Sequence, residues 1–489
     1  MTITTALQTL DSEAADGYFT ELYGAEKEVI AEQKRRYAAL VEQFRRRFGD
    51  IRRDTRRDTR RDTRRDTRRD TRRDTRRDTR ISAGIRIFSS PGRSEIGGNH
   101  TDHNHGKALT ASIQFDVLGV IAACEESRIS LCDFTYHEDY AIDITEHPEP
   151  ADKTGSPALV RGIVAGFKNA GFAVGGFKGC FESRVLPGSG LSSSAAFEML
   201  ICGILNALYN NGAIPIEKLA AIGRYAENVF WGKASGLQDQ MACAAGGIAA
   251  LDFECPAAPT LERIPFDFES RGYRLVIVNT GGSHANLSAE YSAIPAEMKS
   301  VASFFGREVL RGLTVEELTR RLPALRHNCG DRAVLRAVHF IEENNRVEEE
   351  IKALKKNDFA AFLRLAQESG DSSYRWLQNA APPGAIQEQN IPVCLAMTEL
   401  FFHLHGLDGA ARGGAARAAC RLHGGGFAGV IQVFLPLEYV DEYRVWTHTV
   451  LGFAGGGDAG QNPADHDPVF VMSIRPCGVR ELQVGTAPG

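Results

Sequence analysis

Leu186-Pro-Gly-Ser-Gly-Leu-Ser-Ser-Ser-Ala-Ala196 is a glycine- and serine-rich turn that runs straight into a helix-forming segment. Gly188 and Gly190 permit backbone turns that a β-carbon would obstruct. Ser192, Ser193 and Ser194 supply hydroxyls where a helix would begin, and residues 195–208 are rich in helix formers and free of proline. Such a junction aims unpaired N–H groups and the positive end of a helix dipole at one point, which suits a phosphate. An ordinary loop capped by serine has the same composition. The rest of the chain must decide.

Just upstream, residues 156–170 read as a helix and 179–185 as a strand. Further back, 85–91 form a short strand ended by a polar turn over 92–106. Apolar runs at 108–123 and 127–133 resume strand, and 136–154 is a polar hairpin and loop. Near the N-terminus, Tyr18, Leu22, Tyr23, Val29, Ile30, Tyr37, Leu40, Val41, Phe44 and Phe48 recur at helical spacing over 12–49, with Gly24 as the one break. Downstream, 216–231 is helical and 235–241 is helix-like, leading into the small-residue run 242–250. A buried strand follows at 273–279, then helices over 288–310, 315–322, 332–353 and 358–369. Residues 420–434 are strand, glycine turn and strand, and 469–474 and 478–484 close the β structure. Strands mixed with helices, without regular alternation, predict an α+β protein of two lobes.

Composition narrows the function. Hydrophobic residues at 43% and charged residues at 24% describe a soluble globular chain. No apolar run approaches the roughly 20 residues of a membrane span, and the N-terminus carries no secretion signal. The ten cysteines are scattered singly, as in a reducing cytoplasm. Residues 52–79 are seven copies of Arg-Arg-Asp-Thr that supply +7, so a net charge of −5 leaves −12 on the remainder. That balance argues against a nucleic-acid binder. The repeat has no apolar residue to bury and reads as a tandem expansion in a solvated surface loop.

Three further stretches carry chemistry. His100-Thr-Asp-His-Asn-His105 could be a zinc cluster or a polar turn, and no second ligand cluster follows it. Glu227 and Asp239, twelve residues apart, could serve a magnesium ion and a hydroxyl proton, although lone carboxylates are commonly surface residues. Gly424-Gly-Gly426 between two strands allows close backbone approach or simply a tight turn.

Taken together, these stretches resemble the galactokinase branch of the GHMP kinases. Pro91-Gly-Arg-Ser-Glu-Ile-Gly-Gly-Asn-His-Thr-Asp-His-Asn-His-Gly106 is similar to the galactokinase signature at the sugar site. Residues 186–196 are similar to the ATP loop, Gly236-Leu-Gln-Asp-Gln240 to the catalytic aspartate segment, and 424–429 to the third motif. The resemblance implies an N-terminal lobe over 1–240, with the repeat at 52–80 inserted in it, and a ferredoxin-like C-terminal lobe over 241–489. It implies a cytoplasmic enzyme that uses ATP and Mg²⁺ to phosphorylate galactose at C1. Arg93 would stabilise the transferring phosphoryl group and Asp239 would handle the hydroxyl proton. Asn99, His100, Asp102, Gly236 and Tyr291 would bind the sugar. Gly188, Ser189, Gly190, Leu191, Ser192 and Ser193 would cradle the phosphates, and Ser194 and Glu227 would hold Mg²⁺.

The chain departs from the family at several positions. Asn99 stands where many galactokinases have a sugar-contacting glutamate, and an amide can donate as well as accept. Ser235 replaces a common cysteine, and Asn279-Thr-Gly-Gly-Ser-His284 differs from the usual version. A kinase for N-acetylgalactosamine or arabinose therefore stays open, as does a galactose/ATP sensor that binds without catalysis.

Overall fold

The computed structural model describes residues 1–49, 84–150, 155–185, 190–233, 235–281, 287–409, 414–427, 429–452 and 467–482. The repeat, Gly188 and Ser189 lie outside the described residues.

Twelve strands carry the architecture among these residues: β1 (Arg86–Gly97), β2 (Lys107–Ala123), β3 (Arg128–Asp133), β4 (Glu138–Asp143), β5 (Phe177–Ser183), β6 (Ile248–Asp252), β7 (Thr260–Ile264), β8 (Tyr273–Asn279), β9 (Ala419–Leu422), β10 (Val430–Pro436), β11 (Val469–Met472) and β12 (Arg480–Glu481). The first sheet runs β12-β1-β2-β5-β3-β4, with β6 also on β2 and β7 on β6. The second is β11-β8-β10-β9. Among the described residues only the β3–β5 pair is parallel.

The length of β2 organises the first sheet. Its first half pairs with β6 and its second half with β5, while β1 runs along its other edge. Successive side chains of a strand point to opposite faces. Leu118, Val120 and Ala122 accordingly enter one apolar cluster with Tyr37, Leu40, Val41 and Phe44 of the Lys27–Phe48 helix. Val117 and Ile121 enter another with Leu200, Ile201 and Ile204 of the Ser193–Tyr209 helix. The 37, 40, 41, 44 spacing is one helical stripe, and Gly24, at φ 94°, breaks the helix before it.

Several expectations need correction. The polar turn expected over 92–106 is strand as far as Gly97, with Arg93, Ser94 and Glu95 opposite Ser112, Ala111 and Thr110. These polar residues are tolerated inside a sheet because each finds a buried partner from the second lobe or the site. The division expected at residue 240 falls inside the Gln238–Ala245 helix, and β6, β7 and β12 join the first sheet from beyond it. The chain therefore passes to the second sheet after Ile264, and its last strand returns to the first. The helices Ile3–Asp11, Asn390–Leu404 and Val440–Leu451 were not anticipated. Among the described residues no helix is long and apolar enough to cross a membrane.

The Asp331–Lys355 helix lies between the lobes and carries a buried cost. Glu350 is fully buried against Gly97, and neither of its carboxylate oxygens has a hydrogen-bond partner. Burial, and then the neighbouring Glu343, push its carboxyl from 4.5 up to about 8. The folded chain then binds a proton that the unfolded chain releases, so stability falls as pH rises from 4.5 to about 8. The loss is roughly 1 kcal/mol per pH unit. Glu350→Gln is expected to raise Tm by an amount that grows across this window and vanishes below it. Thermal unfolding of both proteins over a pH series checks this; a gain equal at every pH would contradict it.

Candidate active site

The site forms where β1, the serine-rich helix start, the Gln238–Ala245 helix and the Gly424–Gly426 turn meet. Arg93 is brought in by β1, whose register shifts between Pro91 and Arg93. Its Nε and Nη2 donate to Asp239 Oδ1 at 2.9 and 2.7 Å, and its Nη1 donates to the Gly190 carbonyl. Asp239 stands in the first turn of its helix. Its second oxygen, Oδ2, accepts from Ser192 Oγ at 2.5 Å.

Burial alone would raise the Asp239 carboxyl. The Arg93 guanidinium and the Ser192 hydroxyl more than offset it, and the carboxyl sits below its usual value. Asp239 is thus ionised at neutral pH and locked to a guanidinium. Arg93 keeps its charge for the reciprocal reason: burial disfavours it, but Asp239 and Glu95 outweigh that.

Ser192 caps the Ser193–Tyr209 helix in a left-handed conformation, φ 60° and ψ 55°, that a non-glycine residue seldom adopts. It makes no side-chain capping bond, because its hydroxyl is turned to Asp239 instead. Gly190, φ 70°, and the buried Leu191 lead into it, and Leu191 accepts the Arg93 amide at 3.1 Å. Ser193 opens the helix. One residue on, Ser194 Oγ donates to Glu227 Oε1 at 2.8 Å, and Lys233 Nζ donates to the same oxygen at 2.6 Å. Glu227 is 1% exposed, and Gln240 holds its other oxygen at 3.0 Å. Lys233 stays charged: burial lowers its pKa, Glu227 raises it, and the balance is upward.

On the opposite side lie the histidine turn and the glycine turn. His100, φ 57°, points its Nε2 at the Gly425 carbonyl, 3.1 Å away. Burial and His103 lower its pKa to about 4, so the ring is neutral and this nitrogen donates. Asp102 presses on Gly236, where any β-carbon would overlap its Oδ2. Tyr291 stands against the glycine turn: its ring lies beside Gly425 and packs edge-on against Phe427, and its hydroxyl donates to the Gly426 carbonyl at 2.8 Å. Burial pushes its hydroxyl up to about 12.

Asn99 is the clearest departure from expectation. It is 0% exposed, and its Nδ2 donates to Glu95 Oε1 at 2.9 Å and to the Gly424 carbonyl at 2.6 Å. Its Oδ1 accepts from Asn379 at 3.0 Å and from Ser373 at 3.5 Å. The amide has no hydrogen-bonding capacity left for a ligand.

The zinc alternative finds no geometry. Among the described residues no three His, Cys, Asp or Glu side chains converge as a metal cage.

Sequence reasoning passed over Lys233, Gln238 and Glu95, which line the cleft with Arg93 and Asp239. Lys233 had a readable signal, a cation between the two proposed carboxylates. Glu95 lies inside the quoted 91–106 motif, but its buried partner, Arg421, is 326 residues away.

Comparison with known proteins gives a consistent picture. The family model for the GHMP kinases N terminal domain matches residues 158–247, and the galactokinase galactose-binding signature matches 79–123. The chain is 31% identical to the galactokinase of Glaesserella parasuis serovar 5 over 357 residues, covering 73% of this chain and 86% of that protein. It is 28% identical to that of Clostridium tetani over 287 residues, covering 58% and 72%. Among solved structures it is similar to Lactococcus lactis galactokinase complexed with galactose, with a TM-score of 0.68, 23% identity, and coverage of 90% of this chain and 98% of that one. Methanococcus jannaschii mevalonate kinase shares the fold at a TM-score of 0.52 and 15% identity, covering 79% and 98%.

Proposed function

The chain belongs to the galactokinase family of GHMP kinases, and we propose that it transfers the γ-phosphoryl group of ATP to the C1 hydroxyl of galactose. The observation that carries this reading is the Arg93–Asp239 pair set against the start of the Ser193–Tyr209 helix. One carboxylate there faces both a phosphate-type helix terminus and a cleft lined by His100, Asp102 and Gly236.

Asp239 accepts the proton of the sugar hydroxyl as the phosphoryl group arrives. Because Arg93 and Ser192 hold its carboxyl below the usual range, it is a weak base. Its larger contribution is to orient the hydroxyl and favour the charge that develops there. Arg93, bonded at once to Asp239 and to the Gly190 carbonyl, stabilises negative charge on the phosphoryl group in this reading. Gly190, Leu191, Ser192 and Ser193 present the helix terminus to the phosphates, with Gly188 and Ser189 preceding them in sequence.

Ser194 and Glu227 are hard oxygen donors within hydrogen-bond reach of one another, a set that fits Mg²⁺. Bound there, Mg²⁺ would neutralise charge on the β- and γ-phosphates. The ten thiols are unpaired, which supports a cytoplasmic setting.

Asp102 and Gly236 offer a direct handle on the sugar side. Gly236→Ala would drive the Asp102 carboxylate out of place, and the KM for the sugar is expected to rise by about tenfold or more. ATP affinity should hold, as measured by calorimetric titration. A loss of both affinities together would contradict the assignment.

The function is tested by ADP release from purified protein with Mg²⁺ and a panel of galactose, N-acetylgalactosamine, arabinose and glucose. Turnover dependent on galactose supports the reading. Turnover with another member alone would keep the chemistry and change the substrate. Binding of galactose and ATP without turnover would make the protein a sensor.

A further inference from the structure

We propose that Glu95 supplies the carboxylate that selects the sugar, a role that position 99 cannot fill in this chain. The inference rests on the phosphoryl-transfer reading above and names the group by which that site recognises a pyranose hydroxyl.

Two observations lead to it. The first is that Asn99 is spent. All four hydrogen-bonding positions of its amide are taken by protein groups, so it forms part of the floor beneath the ligand. The second is that a carboxylate stands four residues earlier and lines the same cleft as His100, Asp102 and Asp239. Glu95 Oε1 is occupied by Asn99 Nδ2 at 2.9 Å and Arg421 Nη2 at 3.1 Å. Its Oε2 receives one bond, from Gln238 Nε2 at 3.1 Å. A carboxylate oxygen can accept two. The acceptor left over is therefore on Oε2, the oxygen held by Gln238, in a residue that lines the same cleft as Asp239.

Glu95 is also held as a recognition group must be. Its backbone N–H donates to His423 Nε2 at 3.0 Å, and its carbonyl accepts from Gln432 at 2.9 Å. The Arg421 side chain, 0% exposed, is itself tied to the Ile96 carbonyl. The group is thus clamped between β1 of the first sheet and β9 and β10 of the second. A fixed acceptor of this kind selects for a hydroxyl in one position, and a sugar lacking that hydroxyl leaves it with a poorly satisfied charge.

The test is a cycle between residue and hydroxyl in the full chain. kcat/KM is measured for galactose and its 2-deoxy, 3-deoxy, 4-deoxy and 6-deoxy analogues with the wild type and Glu95→Gln. For galactose the variant is expected to lose about 10- to 100-fold, the worth of a hydrogen bond to a charged group. For one deoxy analogue, which the wild type already rejects by a similar factor, the substitution should cost nothing further. Because Glu95→Gln leaves Arg421 buried without its anion, the double variant Glu95→Gln/Arg421→Met is run beside it, with melting temperatures for both. The same hydroxyl-specific coupling is expected in each.

An equal penalty for every analogue in both variants would make Glu95 purely structural and overturn the inference. A wild type that phosphorylates galactose but is indifferent to every hydroxyl would also overturn it, leaving the kinase reading intact. A wild type that phosphorylates no sugar of the panel would end both readings.

Discussion

Asp239→Asn is expected to lower kcat by about 10³-fold, within the range for losing a positioned proton acceptor, while sugar and ATP still bind. Asparagine is nearly isosteric, so the site should keep its shape. Its chemistry changes in two ways. The negative charge that favours loss of the hydroxyl proton disappears. The amide also brings an N–H₂ to a place where every neighbour donates: Arg93 through Nε and Nη2, and Ser192 through its hydroxyl. One of these donors must turn away. Steady-state turnover together with calorimetric binding of each substrate checks this. A variant with wild-type kcat would remove Asp239 from the mechanism.

Arg93→Met is expected to have an effect at least as large, about 10³-fold or more on kcat, because one side chain serves both the phosphoryl group and the base. It also carries a pH signature. In the wild type burial would raise the Asp239 carboxyl, and Arg93 is the leading influence that holds it down. The acid limb of kcat/KM therefore lies below the ordinary carboxylate range. With Arg93 gone, burial is opposed mainly by Ser192 and Lys233. The base then protonates more easily, and the acid limb moves to higher pH. Residual activity followed over a pH series should show this upward displacement. A limb that stays in place would mean that Arg93 does not set the ionisation of Asp239.

How much of this was legible in the sequence depends on the range of the forces involved. The stripe Tyr37, Leu40, Val41 and Phe44 declared its helix, and the apolar run 273–279 its strand, because local periodicity suffices for both. The site pieces around Arg93, the serine turn, Glu227 and Asp239 were readable as motifs, and folding brings them within hydrogen-bond distance. What escaped was decided over long range. Residues 92–97 look like a turn because they are polar; they are strand because His423, Gln432 and Arg421 arrive from the other lobe to satisfy them. Asn99 was expected to meet the sugar because it stands where many galactokinases have a sugar-contacting glutamate; Ser373, Asn379 and Gly424, which take up its amide, are invisible at its own position. The edge of the first sheet beyond residue 240 was equally hidden, because an edge opened by β2 is filled by β6, more than a hundred residues later.

The most direct test of the account is the identity of the product. Galactose, ATP and Mg²⁺ are incubated with the protein, and the phosphorylated sugar is examined by ³¹P and ¹H NMR. The account predicts a single new phosphate ester coupled to the anomeric proton, formed with one ADP per sugar and about 10³-fold more slowly with Asp239→Asn. A phosphate on any other carbon, or the same product from the Asp239→Asn protein at undiminished rate, would contradict it.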